Sequence, residues 1–490
     1  MIPSASSASP TWAQVQATFQ QVWGYDTFRP PQDAIVRSLL EGRDTLVILP
    51  TGAGKSLCFQ LPALMQRGVT VVISPLVALM ENQVQELRQK QLPAACLHRE
   101  LAPQVRRQVL SDLAHQRLRL LYVSPETLLS PPVWQRLQSP DVVINGLILD
   151  EAHCLVQWGD SFRPTYRRLG AVRPALLAHK PAGVGFPIAA FTATADPLAR
   201  RTIRDVLQLR SPAVVALSPY RPNLDLSVET VWTPEGRRQR LARILQQRRG
   251  QSGLVYVRTR RESEAVAQGL VAKGYRAAAY HAGLTATARR QCEADWFANR
   301  VQCVVATSAF GMGVNKPDVR WVVQLQLPSL LSEYCQEVGR AGRDGKPAIA
   351  VAFVSEPTGW LDPSDRQRSQ FFQQSAKALR QQAKRLAQQI PPEGAIATVM
   401  AEFQRDGMAA LAYLHSIGQI TWIDPFHYRL QPAPSGETQP PTQDVALARF
   451  CQTQDCRWRS LLQQFGFHQE AQQLGNCSHC DRCRRSRPKP

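Results

Sequence analysis

Leu46-Val47-Ile48-Leu49-Pro50-Thr51-Gly52-Ala53-Gly54-Lys55-Ser56 sets an apolar β-rich run, a glycine-bearing loop and a helix start in immediate succession. A nucleoside triphosphate is held by that arrangement. Gly52 and Gly54 let backbone N–H groups close on phosphates at the amino end of a helix, with Thr51 and Ala53 completing the loop. Lys55 is the residue that reaches the β- and γ-phosphates, and Ser56 the hydroxyl that ligates Mg2+. The generic pattern has glycine where this chain carries Leu49.

Outward from this loop, short β-rich runs recur between helical stretches. The first set is residues 45–49, 69–73, 120–123, 146–149 and 188–191; the second is 254–257, 276–280, 303–306, 321–325 and 349–354. Most are continuously apolar, the pattern of parallel strands buried on both faces with helices as crossovers. Two such sets predict two doubly wound α/β lobes, with residues 210–221 as the hinge. Beyond Ser355 the texture changes. Residues 366–390 predict a polar-faced helix. Residues 398–430 predict helices and a β-hairpin, a small winged-helix-like insert, and 431–442 a Pro/Ser/Gln linker. The expected domains are a leader (1–11), lobe 1 (12–210), lobe 2 (211–365), a helical segment with insert and linker (366–442) and a cysteine-rich module with a basic tail (443–490).

The chain of 490 residues is too long for one core. Its 58 Lys and Arg against 38 Asp and Glu give a net charge of +20, which favours a polyanion, nucleic acid first. No apolar run reaches the ~20 residues that span a bilayer. The Ser/Ala-rich start lacks the basic and apolar parts of a signal peptide, so a cytoplasmic protein is expected. Of eleven cysteines, five fall within residues 451–483, which in a reducing compartment indicates metal.

Residues 147–153 run an apolar strand into Asp150-Glu151-Ala152-His153. At a strand end Asp150 can hold Mg2+, directly or through water. Glu151 is placed to orient and deprotonate an attacking water. His153 is a candidate to couple the nucleotide to the lobe interface. Near the C-terminus, Cys477, Cys480 and Cys483 form a C-x2-C-x2-C run preceded by Cys456, four thiolates suited to tetrahedral Zn2+. Cys451 is an alternative to Cys456, His468 and His479 are weaker ligands, and an iron–sulfur cluster lacks its expected fourth cysteine after Cys483.

Over residues 20–360 the chain resembles the RecQ DNA helicases, whose two lobes are RecA-like. Gly24-Tyr25-Asp26-Thr27-Phe28-Arg29-Pro30-Pro31-Gln32 resembles the adenine-recognising segment of that family. The resemblance implies that Tyr25 stacks on the base, Gln32 bonds its edge and Arg29 supports both. Residues 74–76 and 124–126 look like nucleic-acid-facing motifs. Residues 154–166 resemble the family's aromatic-rich loop, in which Gln157, Trp158, Phe162 and Arg163 would sense unpaired DNA by stacking and charge. Asp160-Ser161 stands where the family usually has His-Asp. Thr192 and Thr194 match the lobe-coupling motif, and residues 306–320 a segment contacting DNA backbone and nucleotide. Gln336 and Arg340 are expected on one helical face, with Arg343 a turn further as the arginine finger. Gln324 and Val338 replace the family's usual His and Ser.

What the resemblance implies is an ATP-dependent 3′→5′ DNA helicase of recombination and repair, nucleoid-associated. It would use ATP, Mg2+ and Zn2+ on single-stranded, tailed and junction DNA. The chain ends seven residues after Cys483, so neither the winged helix nor the helical domain of long members is expected to follow. Trp422, Phe426 or Tyr428 of the insert would then part base pairs. The alternatives are a DNA-stimulated translocase without strand separation, an RNA helicase, and a non-enzymatic junction binder.

Overall fold

The structure, a computed structural model, describes residues 10–50, 52–156, 163–310, 316–432 and 444–485. They form two compact units. One joins residues 1–49 and 53–217 to 374–440; the other joins 218–373 to 441–490 and takes in 50–52.

In the first unit β1 (Thr45–Ile48), β2 (Val69–Ile73), β3 (Ala94–Leu97), β4 (Leu120–Val123), β5 (Ile144–Leu149), β6 (Ile188–Thr192) and β7 (Ala213–Ala216) form one parallel sheet in the order β3-β4-β2-β5-β6-β1-β7. Alternate residues of β1 serve different cores. Leu46 and Ile48 pack with Leu121 and Leu147, while Val47 and Leu49 pack with Phe59 and Phe191. Burial on both faces is why these strands read as unbroken apolar runs. Asp44, at the foot of β1, receives Arg173 and the backbone N–H groups of Ile188 and Arg210, tying three segments together.

The second unit carries β8 (Leu224–Val231), β9 (Gly253–Tyr256), β10 (Ala277–Tyr280), β11 (Cys303–Ala306), β12 (Trp321–Gln324) and β13 (Ala348–Ser355), also parallel, in the order β10-β11-β9-β12-β13-β8. The sheets therefore have seven and six strands rather than five each. Missed were β3, whose Ala94-Ala95-Cys96-Leu97 has no β-branched residue, and β7, a half-exposed edge. β7 lies inside the stretch expected to be the hinge. β8 was missed because its residues alternate buried and half-buried, unlike the continuous runs of its neighbours.

The cysteine-rich module lies against the outer edge of β8. Trp458 Nε1 donates to Leu224 O at 3.0 Å, and Asp481 receives the Val228 N–H. Paired groups on an edge strand no longer offer a template for other chains. Arg457, 1% exposed, forks onto Asp481 and donates to the carbonyls of Phe450 and Cys451.

Helix Ser364–Gln389 leads into β14 (Glu393–Ala395), helix Ile396–Ser416 (broken at Gln404, φ +51°), β15 (Ile420–Asp424) and β16 (His427–Leu430), which form a small antiparallel sheet. The expected hairpin is present, but its aromatic residues are not free. Tyr428 is 0% exposed within the insert's own core, Trp422 stacks on His415, and Phe426 meets Trp134 edge-on at 5.2 Å. The aromatic residues expected to part base pairs are thus engaged within the protein in this structure. The expected linker falls largely outside the described residues. No helix of the described residues is long and apolar enough to cross a membrane.

Candidate active site

The loop after β1 turns through left-handed backbone at Gly52 (φ +87°) and Gly54 (φ +78°), which glycine adopts without a Cβ penalty. Leu49 departs from the generic pattern because it is core, fully buried against the residues beneath the loop. Helix Lys55–Met65 starts at Gly54, so the N–H groups of its first turn and the positive end of its dipole face the loop. Gln32 packs onto this loop. Its Nε2 donates to Ala53 O at 3.0 Å, its Oε1 accepts from the Arg29 N–H, and a Cβ on Gly54 would come within 2.4 Å of it. Tyr25 is 54% exposed and sits beside Phe19, leaving its ring open for stacking.

β5 ends at Leu149 and delivers Asp150 and Glu151 beside that helix. Glu151 has φ +54° and ψ +50°, a conformation uncommon for any residue with a side chain. Its Oε1 lies 4.0 Å from Lys55 Nζ and its Oε2 3.2 Å from His153 Nδ1. The same His153 nitrogen is 3.3 Å from Thr192 Oγ1, whose hydroxyl also reaches Thr194 O at 3.1 Å. Lysine, glutamate, histidine and threonine thus form one buried chain from the phosphate loop to the end of β6. Burial, and then the Glu151 charge, push Asp150 up to about 7 although Lys55 opposes them. Burial works against charge on His153, but Cys154 and Glu151 outweigh it and push the imidazole up to about 10.

These groups fit Mg2+ and a triphosphate. The Lys55 Nζ is buried and donates no hydrogen bond among the described residues, its ion pair with Glu151 aside. Ser56 and Asp150, the hydroxyl and carboxylate a divalent cation needs, flank it in the fold. Ser56 Oγ accepts from Gln83 Nε2 at 3.1 Å. Gln83 was missed by sequence reading. It lies on helix Val77–Gln89, directly after residues 74–76, and no local pattern marks it.

In the second unit helix Leu331–Val338 stops sooner than the sequence suggests. Gln336 is on it, but Arg340 and Arg343 sit in the turns that follow, so the expectation of one shared helical face is corrected. The helix is capped at Gly339, and Gly342 then turns at φ +59°, its N–H bonding Val319 O and its carbonyl receiving Asn223 and Arg221. Beneath them Arg258 pairs with Glu337 through two bonds of 2.8 and 2.9 Å, and Gln324 donates to the same carboxylate. Gln324, which departs from the family pattern, is 0% exposed; its Nε2 is spent on Glu337, while its Oε1 has no hydrogen-bond partner among the described residues. Thr51, Gln157, Trp158 and Phe162 lie outside the described residues; Arg163 opens the turn of 3-10 helix Pro164–Ala171.

The sulfurs of Cys456, Cys477, Cys480 and Cys483 all lie within 4.8 Å of one another and are buried. Backbone N–H groups of Arg457, Cys477 and Cys480 point at three of them. Four converging sulfurs with amide donors fit a tetrahedral soft-ligand cation. Cys451 and His468 are outside the cluster, and His479 is engaged with Asp225 at 3.0 Å.

Residues 29–202 match the DEAD/DEAH box helicase family and residues 236–345 the helicase conserved C-terminal domain. The ATP-dependent DNA helicase RecQ of Synechocystis sp. is 49% identical over 474 residues, 96% of this chain and 98% of that protein. The Pasteurella multocida RecQ is 40% identical over 74% of this chain, which spans only 56% of that longer relative. Among solved structures, Mss116p bound to ssRNA and AMP-PNP (TM-score 0.57, 17% identity, 70% of this chain and 72% of that one) shares the fold. So does the Mycobacterium smegmatis helicase Lhr bound to ssDNA and AMP-PNP (TM-score 0.54, 22% identity, 68% and 47%). With two parallel-sheet lobes, a built phosphate loop and acid pair, and 49% identity along nearly its whole length, the chain belongs to the RecQ family of ATP-dependent DNA helicases.

Proposed function

We propose that this protein hydrolyses ATP to step 3′→5′ along one DNA strand and part a duplex, in recombination and repair on the nucleoid. The observation that carries the reading is the buried chain Lys55–Glu151–His153–Thr192. Lys55 and the loop N–H groups bind the phosphates; Ser56 and Asp150 would hold Mg2+, which adds positive charge against the phosphate oxygens. Glu151, fixed between Lys55 and His153, orients the water and takes its proton. Thr192 and Thr194 receive the change through His153. Gln336, Arg340 and Arg343 supply charge to the phosphoryl in transfer. Tyr25, Arg29 and Gln32 select the base, while Gln157, Trp158, Phe162 and Arg163 sense DNA. Cys456, Cys477, Cys480 and Cys483 would hold a structural Zn2+, which stabilises a segment too small to fold alone.

One observation favours the second reading, a translocase without strand separation: the insert's hairpin tip is docked on the first lobe, so it offers no wedge. Hydrolysis assays test the common core. Wild type should be stimulated by single-stranded DNA and far less by RNA. Glu151→Gln should lose roughly 10²–10⁴-fold in rate while still binding ATP. Stimulation by RNA alone would restore the RNA-helicase alternative, and unstimulated hydrolysis by both proteins would remove Glu151 from its role.

A further inference from the structure

The insert lays helix Ile396–Ser416 and β15 along the 3-10 helix Pro164–Ala171 of the first lobe, and its hairpin tip adds a further contact. Arg168 Nη1 donates to Pro425 O at 3.1 Å at the hairpin tip, and Phe426 packs edge-on against Trp134. Asp424 fixes that tip by accepting from the N–H groups of Phe426 and His427. Around the contact lies a cavity of about 460 Å³ bordered by Thr165, Arg168, Met400, Met408 and Phe426. The seat is therefore incompletely packed at the hairpin tip, where Phe426 and Arg168 border the cavity.

What is held there is Pro164–Ala171, eight residues of 3-10 helix. Runs beyond about 3–4 residues are uncommon because the hydrogen-bond geometry is poor, so such a segment needs support from outside itself. On its inner side Tyr166 and Leu169 share one buried cluster with Ala152, Cys154 and Leu155 of the acidic turn. On its outer side Arg167, 5% exposed, lies near half-buried His415 of the insert, whose imidazole burial and the Arg167 charge push down to about 3.

We propose that residues 393–430 form a strut that holds the 3-10 segment against the acidic turn, making Phe426 and Arg168 positioning residues for DNA-stimulated hydrolysis. The proposal rests on the functional reading above, in that the segment continues the chain from the DNA-sensing loop. The strut replaces the wedge role: its aromatic tip serves the ATPase and not the duplex.

The test compares basal and single-stranded-DNA-stimulated ATP hydrolysis by full-length wild type, Phe426→Ala, Phe426→Leu and Arg168→Met, with melting temperature and zinc content for each. Phe426→Ala should keep basal hydrolysis while its stimulated kcat falls roughly tenfold, the scale of a small misplacement of catalytic groups. Phe426→Leu should recover most of it, Arg168→Met should share the loss, and Phe426→Ala should add nothing in a Trp158→Ala background. Full stimulation of Phe426→Ala, or an equal fall of basal and stimulated rates tracking a lowered melting temperature, would overturn the strut. Absence of stimulation in wild type would instead strike the functional reading itself.

Discussion

Glu151 is held in left-handed backbone by what surrounds it, with Lys55 on one carboxylate oxygen and His153 on the other. Strain of this kind persists only where packing over-determines it. Asp150, beside it, makes a pH-dependent prediction. Its carboxyl sits near 7 in the folded chain against 3.8 as a reference. Between those values the folded state binds the extra proton, so stability falls as pH rises through the window and the full cost stands above it. In the absence of Mg2+ and nucleotide, Asp150→Asn is expected to raise the melting temperature at pH 8 and to change it little at pH 4. Equal gains at both would contradict that cause. The acid pair and phosphate loop were legible because their chemistry needs neighbours in sequence. Gln83 and Glu337 were not: Gln83 meets Ser56 across 27 residues, and Glu337 meets Arg258 across 79.

Among elements, the β8 edge and the cysteine-rich module depend on each other. Arg457 is buried with both Asp481 oxygens and two carbonyls as partners, so Arg457→Ala leaves the half-buried Asp481 with only the Val228 N–H and strips two carbonyls of their donor, at a cost of about 1–3 kcal/mol. Urea denaturation followed by tryptophan fluorescence should show that loss, and Arg457→Lys should fail to restore the fork. A wild-type midpoint in Arg457→Ala would refute it. Cys480→Ser should release the bound metal and lower the same midpoint, whereas Cys451→Ser should keep zinc at one per chain, measured by metal analysis. The cysteine spacing announced this module, but nothing local announced that Trp458 would seek a carbonyl 234 residues away. The insert teaches the same lesson. Its hairpin was visible in the alternation of residues 418–430, yet its docking on Trp134 and Arg168 is a long-range contact that no periodicity encodes.

At the scale of the whole molecule, both parallel sheets were readable because strands buried on two faces are apolar throughout. The three strands that escaped notice lacked that signature, being small, half-exposed or alternating. What the two lobes, the acid pair and the four-cysteine cluster amount to is a DNA motor, and strand separation with polarity is its fullest expression. The direct measurement is unwinding of a 3′-tailed and a 5′-tailed DNA duplex with ATP and Mg2+, beside Lys55→Ala. The 3′-tailed duplex alone should be unwound, and Lys55→Ala should abolish that unwinding. Unwinding of the 5′-tailed duplex, or unwinding that survives in Lys55→Ala, would contradict this reading.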